Sequence, residues 1–328
     1  MEQRTFGRLG RDASVVGLGC WQLGADWGAV DDGAAMAILH AAVDAGVTFF
    51  DTADVYGDGR SERFVARLLK ERPDEKIFVA TKTGRRAPAQ LDEHYTEANL
   101  RSWVQRSLTN LGVDQLDLVQ WHCPPTATIE RDSMYELFDA LTAEGLIAGY
   151  GVSVETVAQA LHAISRPQIK SIQIIANAFR LRPFETVMPA ALAAGVGIIV
   201  RLPLASGLLA AKFTSASVFG ANDHRNYNRE GASFDVGETF SGVPYELGIA
   251  CALELGAFAP AGMTPAQAAL RWVIDQPGVT SVIPGATSVD QVRLNVAAGE
   301  AEPISAEYRQ AVRRIYDEQI RQHVHDRW

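Results

Sequence analysis

Four residues of the chain have types and positions that can do proton chemistry together: Asp51, Tyr56, Lys82 and His122. Asp51, Lys82 and His122 stand at the ends of three successive apolar runs, and Tyr56 follows Asp51 by five residues. A phenol with a pKa near 10 is a poor general acid at neutral pH unless that value is lowered. A nearby ammonium favours the phenolate and lowers it. A carboxylate beside the ammonium keeps the lysine charged and oriented where an unpaired charge is costly. A histidine on the other side can donate a hydrogen bond to a substrate oxygen and position it. Such a set delivers a proton to an oxygen that turns negative as hydride reaches its carbon. Each residue alone has an ordinary explanation. A strand-end Lys or Asp is as often half of a structural ion pair. Tyr56 can be a packed loop aromatic, and His122, beside Cys-Pro-Pro, a structural histidine or a metal ligand. No second histidine lies at metal-site spacing from it. Four together at consecutive strand ends are much less easily accidental.

The elements that position them are legible as eight β-rich runs: Val15–Cys20, Val47–Thr52, Ile77–Lys82, Leu116–His122, Ile147–Ser153, Ser171–Ala176, Val196–Leu202 and Ser281–Pro284. Most are nearly continuous apolar runs, as parallel strands covered on both faces are. Helical patterns lie between them. Asp32–Ala45 puts Ile38, Leu39, Ala42 and Val43 on one face and stops at Gly46. Thr96–Leu111 spaces Leu100, Trp103, Val104, Ser107, Leu108 and Leu111 helically and stops at Gly112. This alternation in one continuous chain predicts a single α/β domain over residues 1–328, a (β/α)8 TIM barrel with chemistry at its C-terminal rim. A short N-terminal β-hairpin around Gly10, from Thr5–Arg11 and Ala13–Cys20, is expected to close the barrel bottom. Residues 212–244, rich in Asn, Asp, Gly, Ser and Arg with scattered Phe, read as a long lid loop or as a mobile excursion.

Composition narrows the class. The chain has 328 residues, is 47% hydrophobic, and contains no stretch apolar enough to span a bilayer. Its first residues are polar and lack a secretory h-region. Cys20, Cys123 and Cys251 are odd in number and widely spaced, which reads as free thiols in a reducing, cytoplasmic compartment. A net charge of −9 argues against nucleic acid and acidic membranes as partners, though not against an anionic small molecule in a local basic pocket. The expected partner is a small-molecule carbonyl or alcohol; oligomeric state is left open. Gly17-Leu-Gly19 fails the Rossmann spacing, since position 22 is Gln.

Over nearly its whole length the sequence resembles the aldo-keto reductase superfamily. The likeness is carried by Gly-Leu-Gly-Cys-Trp-Gln-Leu-Gly at 17–24, Phe-Phe-Asp-Thr-Ala-Asp-Val-Tyr-Gly at 49–57 and Ala-Thr-Lys at 80–82. It continues in Gln-Trp-His at 120–122, Gly-Val-Ser at 151–153, Pro-Leu-Ala-Ser-Gly-Leu-Leu at 203–209 and Ile-Pro-Gly-Ala-Thr-Ser at 283–288. The resemblance implies a NADP(H)-dependent oxidoreductase reducing an aldehyde or ketone, with the tetrad on Asp51, Tyr56, Lys82 and His122. It implies Ser153 and Gln173 at the nicotinamide carboxamide, with Val154 where many members carry Asn. Arg201 falls where an aromatic ring often stacks on the nicotinamide, and a guanidinium plane can also lie there. Gly19, Cys20 and Trp21 fall beside the cofactor, Trp21 and Trp27 over the substrate pocket with Tyr56 and His122. Pro203, Leu204, Ser206, Leu208 and Lys212 follow the pyrophosphate, and Asn295 the adenine.

For the phosphates the residues offer an independent reason. Gly285 permits close backbone approach, and Ser288 opens a helix with Gln291 at capping-box spacing. A helix N-terminus presents free N–H groups to an anion, although an ordinary cap is the commoner meaning of that spacing. The family reads a 2′-phosphate with a Lys or Arg around 286–291; here stand Ala-Thr-Ser-Val-Asp-Gln, leaving Thr287, Ser288 and backbone amides, with Arg293 further along. NADP(H) is the expected cofactor and NAD(H) the alternative. Two rival functions remain on the same barrel: a Schiff-base lyase using Lys82, and a non-catalytic NADP(H)-binding regulatory subunit.

Overall fold

Inside-facing residues recur at every second position along the strands, and their chemistry changes with height. In the computed structural model, which describes residues 1–24 and 30–328, eight strands among the described residues form one parallel sheet. They are β3 (Leu18–Gly19), β4 (Phe49–Asp51), β5 (Phe78–Thr83), β6 (Leu118–His122), β7 (Tyr150–Ser153), β8 (Ser171–Ile175), β9 (Gly197–Arg201) and β10 (Ser281–Val282). Each pairs with its neighbour in sequence order. The sheet curls until the bridges Val16–Val282 and Gly19–Gly285 join its first strand to its last. All eight fall inside the runs read from the sequence but for Thr83, one residue past the third, and most are shorter, because the ends of the apolar runs pack without pairing.

The lower interior is apolar. Phe49, Phe78, Leu118, Ile199 and Ile283 cluster there with Phe6 and Ala13 of the N-terminal hairpin. Two residues higher on the same strands, alternation brings up Asp51, Ala80, Gln120 and Arg201, and then Lys82 and His122. The change from phenyl rings to charges along one strand places a polar site at the upper rim.

The hairpin pairs β1 (Gln3–Thr5) with β2 (Asp12–Ser14), antiparallel, around a turn in which Gly10 is left-handed at φ 66°. Its arms are shorter than expected and lie nearer the N-terminus, the first sharing only Thr5 with the expected span, since Phe6 leaves the ladder and turns inward. The Phe6 ring lies 5.2 Å from both Phe49 and Phe78 and plugs the barrel bottom. A side chain at Gly197 would meet it, a Cβ there falling 2.3 Å from Phe6 Cδ1. The first helix runs Asp32–Asp44, capped by Asp31 and burying the four predicted apolar residues. Glu97–Leu111 is capped by Thr96 and buries all six.

The 212–244 segment is not structureless. It contains a short helix at His224–Tyr227 and two helical turns at Val236–Glu238 and Phe240–Gly242. Its scattered aromatics build a small core of their own: Phe213, Phe219 and Phe240 meet one another, and Phe219 and Phe240 also meet Tyr245. Asn228 accepts from the amides of Ser233 and Phe234, each at 2.9 Å, and the Trp328 indole donates to Asp235 at 2.8 Å. Irregular spacing of these rings gives no periodicity to read, which is why the sequence suggests a loop. Among the described residues no helix is long and apolar enough to cross a membrane.

Candidate active site

At the upper rim, β4, β5 and β6 bring Asp51, Lys82 and His122 together, and the turn after β4 folds Tyr56 back over them. Lys82 is 1% exposed and Asp51 2%, so neither charge is solvated and each depends on the other. Lys82 Nζ donates to Asp51 Oδ1, to Thr52 O at 2.9 Å and to the Tyr56 hydroxyl at 3.3 Å. Burial alone would push the ammonium down; the Asp51 carboxylate and the Tyr56 oxygen more than offset it and hold the group above its ordinary value. Asp51 Oδ2 accepts from Gln173 Nε2 at 2.7 Å and from Gln120 Nε2 at 3.2 Å, which satisfies the rest of the carboxylate.

Tyr56 departs from the sequence expectation. Burial raises its phenol above the ordinary value, and the pull of Lys82 does not overcome this. The resting group is therefore the neutral phenol, an acid with its proton in place, and the ammonium stabilises the phenolate that forms when the proton leaves. His122 is pushed well below its ordinary value by burial and then by the positive charges of Arg85, Lys82 and Arg201. It is neutral at physiological pH and can donate one N–H. The rings of Tyr56 and His122 meet edge to face at 5.9 Å, and Trp21 stacks on Tyr56 at 6.0 Å.

These groups open into a cavity of about 600 Å³, within the range of cofactor and ligand pockets. Gly19, Cys20, Trp21, Asp51, Ser153, Gln173 and Arg201 line it near the reacting centre; Pro203, Leu204, Ser206 and Lys212 line one side, and Gly285, Thr287, Gln291 and Asn295 the far end. Leu208 and Ser288 do not. The Leu208 side chain is buried against Gly248, and Ser288 is spent as a helix cap accepting from Gln291 N at 3.3 Å. Gln291 Oε1 accepts from Thr287 N at 2.8 Å, so the expected capping box is displaced by one residue. Trp27 lies outside the described residues. Arg201 is anchored through the edge of its guanidinium, its Nη2 donating to Glu155 Oε2 at 2.9 Å and to Val154 O at 3.2 Å.

Several residues escaped the sequence reading. Gln120 carried a signal, sitting two positions before His122 on one strand face. Glu155 and Glu238 carried none, being joined to Arg85 and Arg201 only by folding across long separations. Cys123, Glu155 and Glu238 offer ligand atoms within 4.8 Å of one another, but the two guanidiniums engage both carboxylates. The free cysteines are Cys20 and Cys251, both buried, and the partly buried Cys123.

Asp54, two residues before Tyr56, is fully buried, and neither of its carboxyl oxygens has a hydrogen-bond partner among the described residues. Burial, and then the Glu62 charge, push it up to about 8. A carboxyl raised in the folded state stabilises that state at low pH and loses the contribution as pH climbs through about 8. Asp54→Asn has no proton to lose. It is expected to match the wild type near pH 5 and to be more stable by about 1–3 kcal/mol near pH 9, after discounting for relaxation. Melting curves at both pH values test this; a difference independent of pH would refute it.

Known proteins fit this geometry. Residues 15–317 match the Aldo/keto reductase family, and the chain belongs to that family. Aldo-keto reductase YhdN of Bacillus subtilis (strain 168) is 32% identical over 298 residues, 89% of this chain and 87% of its own. The glycerol dehydrogenase AKR11B4 from Gluconobacter oxydans superposes with a TM-score of 0.75 at 29% identity, covering 96% of this chain and 93% of that one. An aldo-keto reductase from Klebsiella pneumoniae in complex with NADPH shares the fold at 23% identity, with a TM-score of 0.73 and full coverage of both chains.

Proposed function

We propose that the chain, acting as one domain over residues 1–328, reduces an aldehyde or ketone to an alcohol by reversible hydride transfer from NADP(H), with Tyr56 as general acid. The observation that carries this reading is the buried contact of Lys82 with both Asp51 and the Tyr56 hydroxyl, at the mouth of a cofactor-sized cavity. The cavity suits a dinucleotide. Gly285 lets the Gln22 side chain pack directly on its backbone, a Cβ there falling 1.9 Å from Gln22 Nε2, and both residues line the cavity. Ser153 and Gln173 offer polar groups at the reacting end, Asn295 at the other. When bound, the nicotinamide supplies the hydride.

The residues do the rest. The neutral His122 donates to the substrate oxygen and holds it beside the phenol. Tyr56 releases its proton to that oxygen as negative charge develops there, and the Lys82 ammonium stabilises the resulting phenolate. Asp51, held by Gln120 and Gln173, keeps Lys82 protonated and aimed. The same pairing argues against a Schiff-base lyase, which needs a neutral amine. The 212–244 segment covers one side of the cavity with Phe213, Tyr227 and Phe234, which supports a role as its lid.

Cofactor choice rests on the far end. Arg293 is exposed, pairs with Asp290 at 3.4 Å and stands outside the cavity lining, whereas Lys212 and Arg225 belong to it. Incubation with a panel of aldehydes and ketones is expected to consume NADPH, followed at 340 nm, and faster than NADH at equal concentration. Tight NADPH binding without turnover of any carbonyl would favour the regulatory-subunit reading instead.

A further inference from the structure

Beside Phe234, its ring 5.7 Å from the Arg85 guanidinium, lies a largely buried group of four charged side chains from four separate parts of the chain. Arg85 follows β5, Glu155 follows β7, Arg201 ends β9, and Glu238 belongs to the 212–244 segment. Arg85 Nη2 meets Glu238, and Glu155 at 3.6 Å. Arg201 meets Glu155 at 2.9 Å and Glu238 at 3.6 Å. Counted by formal charge the four cancel, but the two carboxyls face each other. Burial pushes Glu155 up, whereas the two guanidiniums outweigh burial at Glu238 and hold it down at about 2. The same carboxyls hold both guanidiniums charged.

Part of that charge is turned to the cavity. Both carboxyls engage Arg85 through Nη2; its Nε and Nη1 have no hydrogen-bond partner among the described residues, and Arg85 lines the cavity together with Arg201 and Glu238. Arg201 Nε is buried and equally without a hydrogen-bond partner. A buried guanidinium donor without a partner, as at Arg201, is costly, and an oxyanion satisfies it best, with the free Arg85 donors beside it.

Resting on the carbonyl-reductase reading, we propose that the preferred substrate carries a carboxylate beyond its carbonyl, bound by Arg85 with Arg201 behind it. The aromatic side chains of Trp21 and Phe234 line the same cavity and cover the apolar stretch between the two groups.

The probes are 4-carboxybenzaldehyde and its neutral methyl ester, assayed with NADPH. The wild type is expected to favour the acid by roughly ten- to a hundred-fold in kcat/KM, mostly through KM, the scale of a hydrogen bond to a charged group. Arg85→Gln is expected to lose that preference while reducing the ester within about three-fold of wild type; Arg85→Lys should keep part of it. Equal handling of acid and ester by the wild type, or an unchanged preference in Arg85→Gln, overturns the anion site and leaves carbonyl reduction standing. Turnover of neither aldehyde defeats the carbonyl-reductase reading. Calorimetry on the wild type then decides the anion site separately, whether or not the variant folds: benzoate binding at least ten-fold tighter than benzamide supports it, and equal affinities end it.

Discussion

Tyr56→Phe is expected to lower carbonyl reduction by about 10²- to 10⁴-fold, the range a positioned general acid contributes, while leaving NADPH affinity within a few-fold of wild type. The substitution removes one hydroxyl and keeps the ring that stacks on Trp21 and meets His122, so the pocket should hold its shape. It also frees one Lys82 donor, whose remaining partners, Asp51 and Thr52 O, keep the ammonium in place. The fall should therefore appear in kcat. Because burial holds the phenol above its ordinary value, the acid form persists through neutral and mildly alkaline pH. Reduction by the wild type should be flat across pH 6–9 as far as this group decides it. Alcohol oxidation needs the phenolate and should climb with pH over that range. A variant that kept most of its activity, or lost NADPH binding in proportion to activity, would remove Tyr56 from the role assigned to it.

How much of this was legible in the sequence depends on which forces wrote each feature. Strand positions were readable because a buried parallel strand must be apolar on both faces, and Phe49, Phe78 and Leu118 satisfy that over short runs. The tetrad was readable because residues at strand ends share one rim whatever the details of packing. Lower down, Phe6 was missed as the barrel plug, since nothing in a polar N-terminus marks one ring for the interior. The phenol's direction was misjudged for a physical reason: the sequence supplies the neighbouring ammonium but not the degree of burial, and burial wins. The Arg85–Glu238 contact spans 153 residues and leaves no local trace. Its consequence, two guanidiniums lining the pocket of a chain of net charge −9, is invisible to composition, which reports only the sum.

Lys82→Met should be the most damaging single change, because it acts on stability as well as on turnover. Removing the ammonium leaves Asp51 buried with only two amide donors, from Gln120 and Gln173. Breaking one partner out of a buried ion pair costs about 3–5 kcal/mol. The phenol also loses the charge that stabilises its conjugate base, so reduction should fall at least as far as in Tyr56→Phe. The two losses separate in the double variant Asp51→Asn, Lys82→Met. With neither charge left, the pair no longer contains an uncompensated ion, and the urea midpoint should recover most of what the single change lost. Turnover should not recover, since nothing replaces the ammonium beside the phenol. A double variant as unstable as the single one would mean that packing around Lys82, rather than charge, holds this layer of the barrel. A double variant that regained activity would show that the ammonium is dispensable to proton transfer.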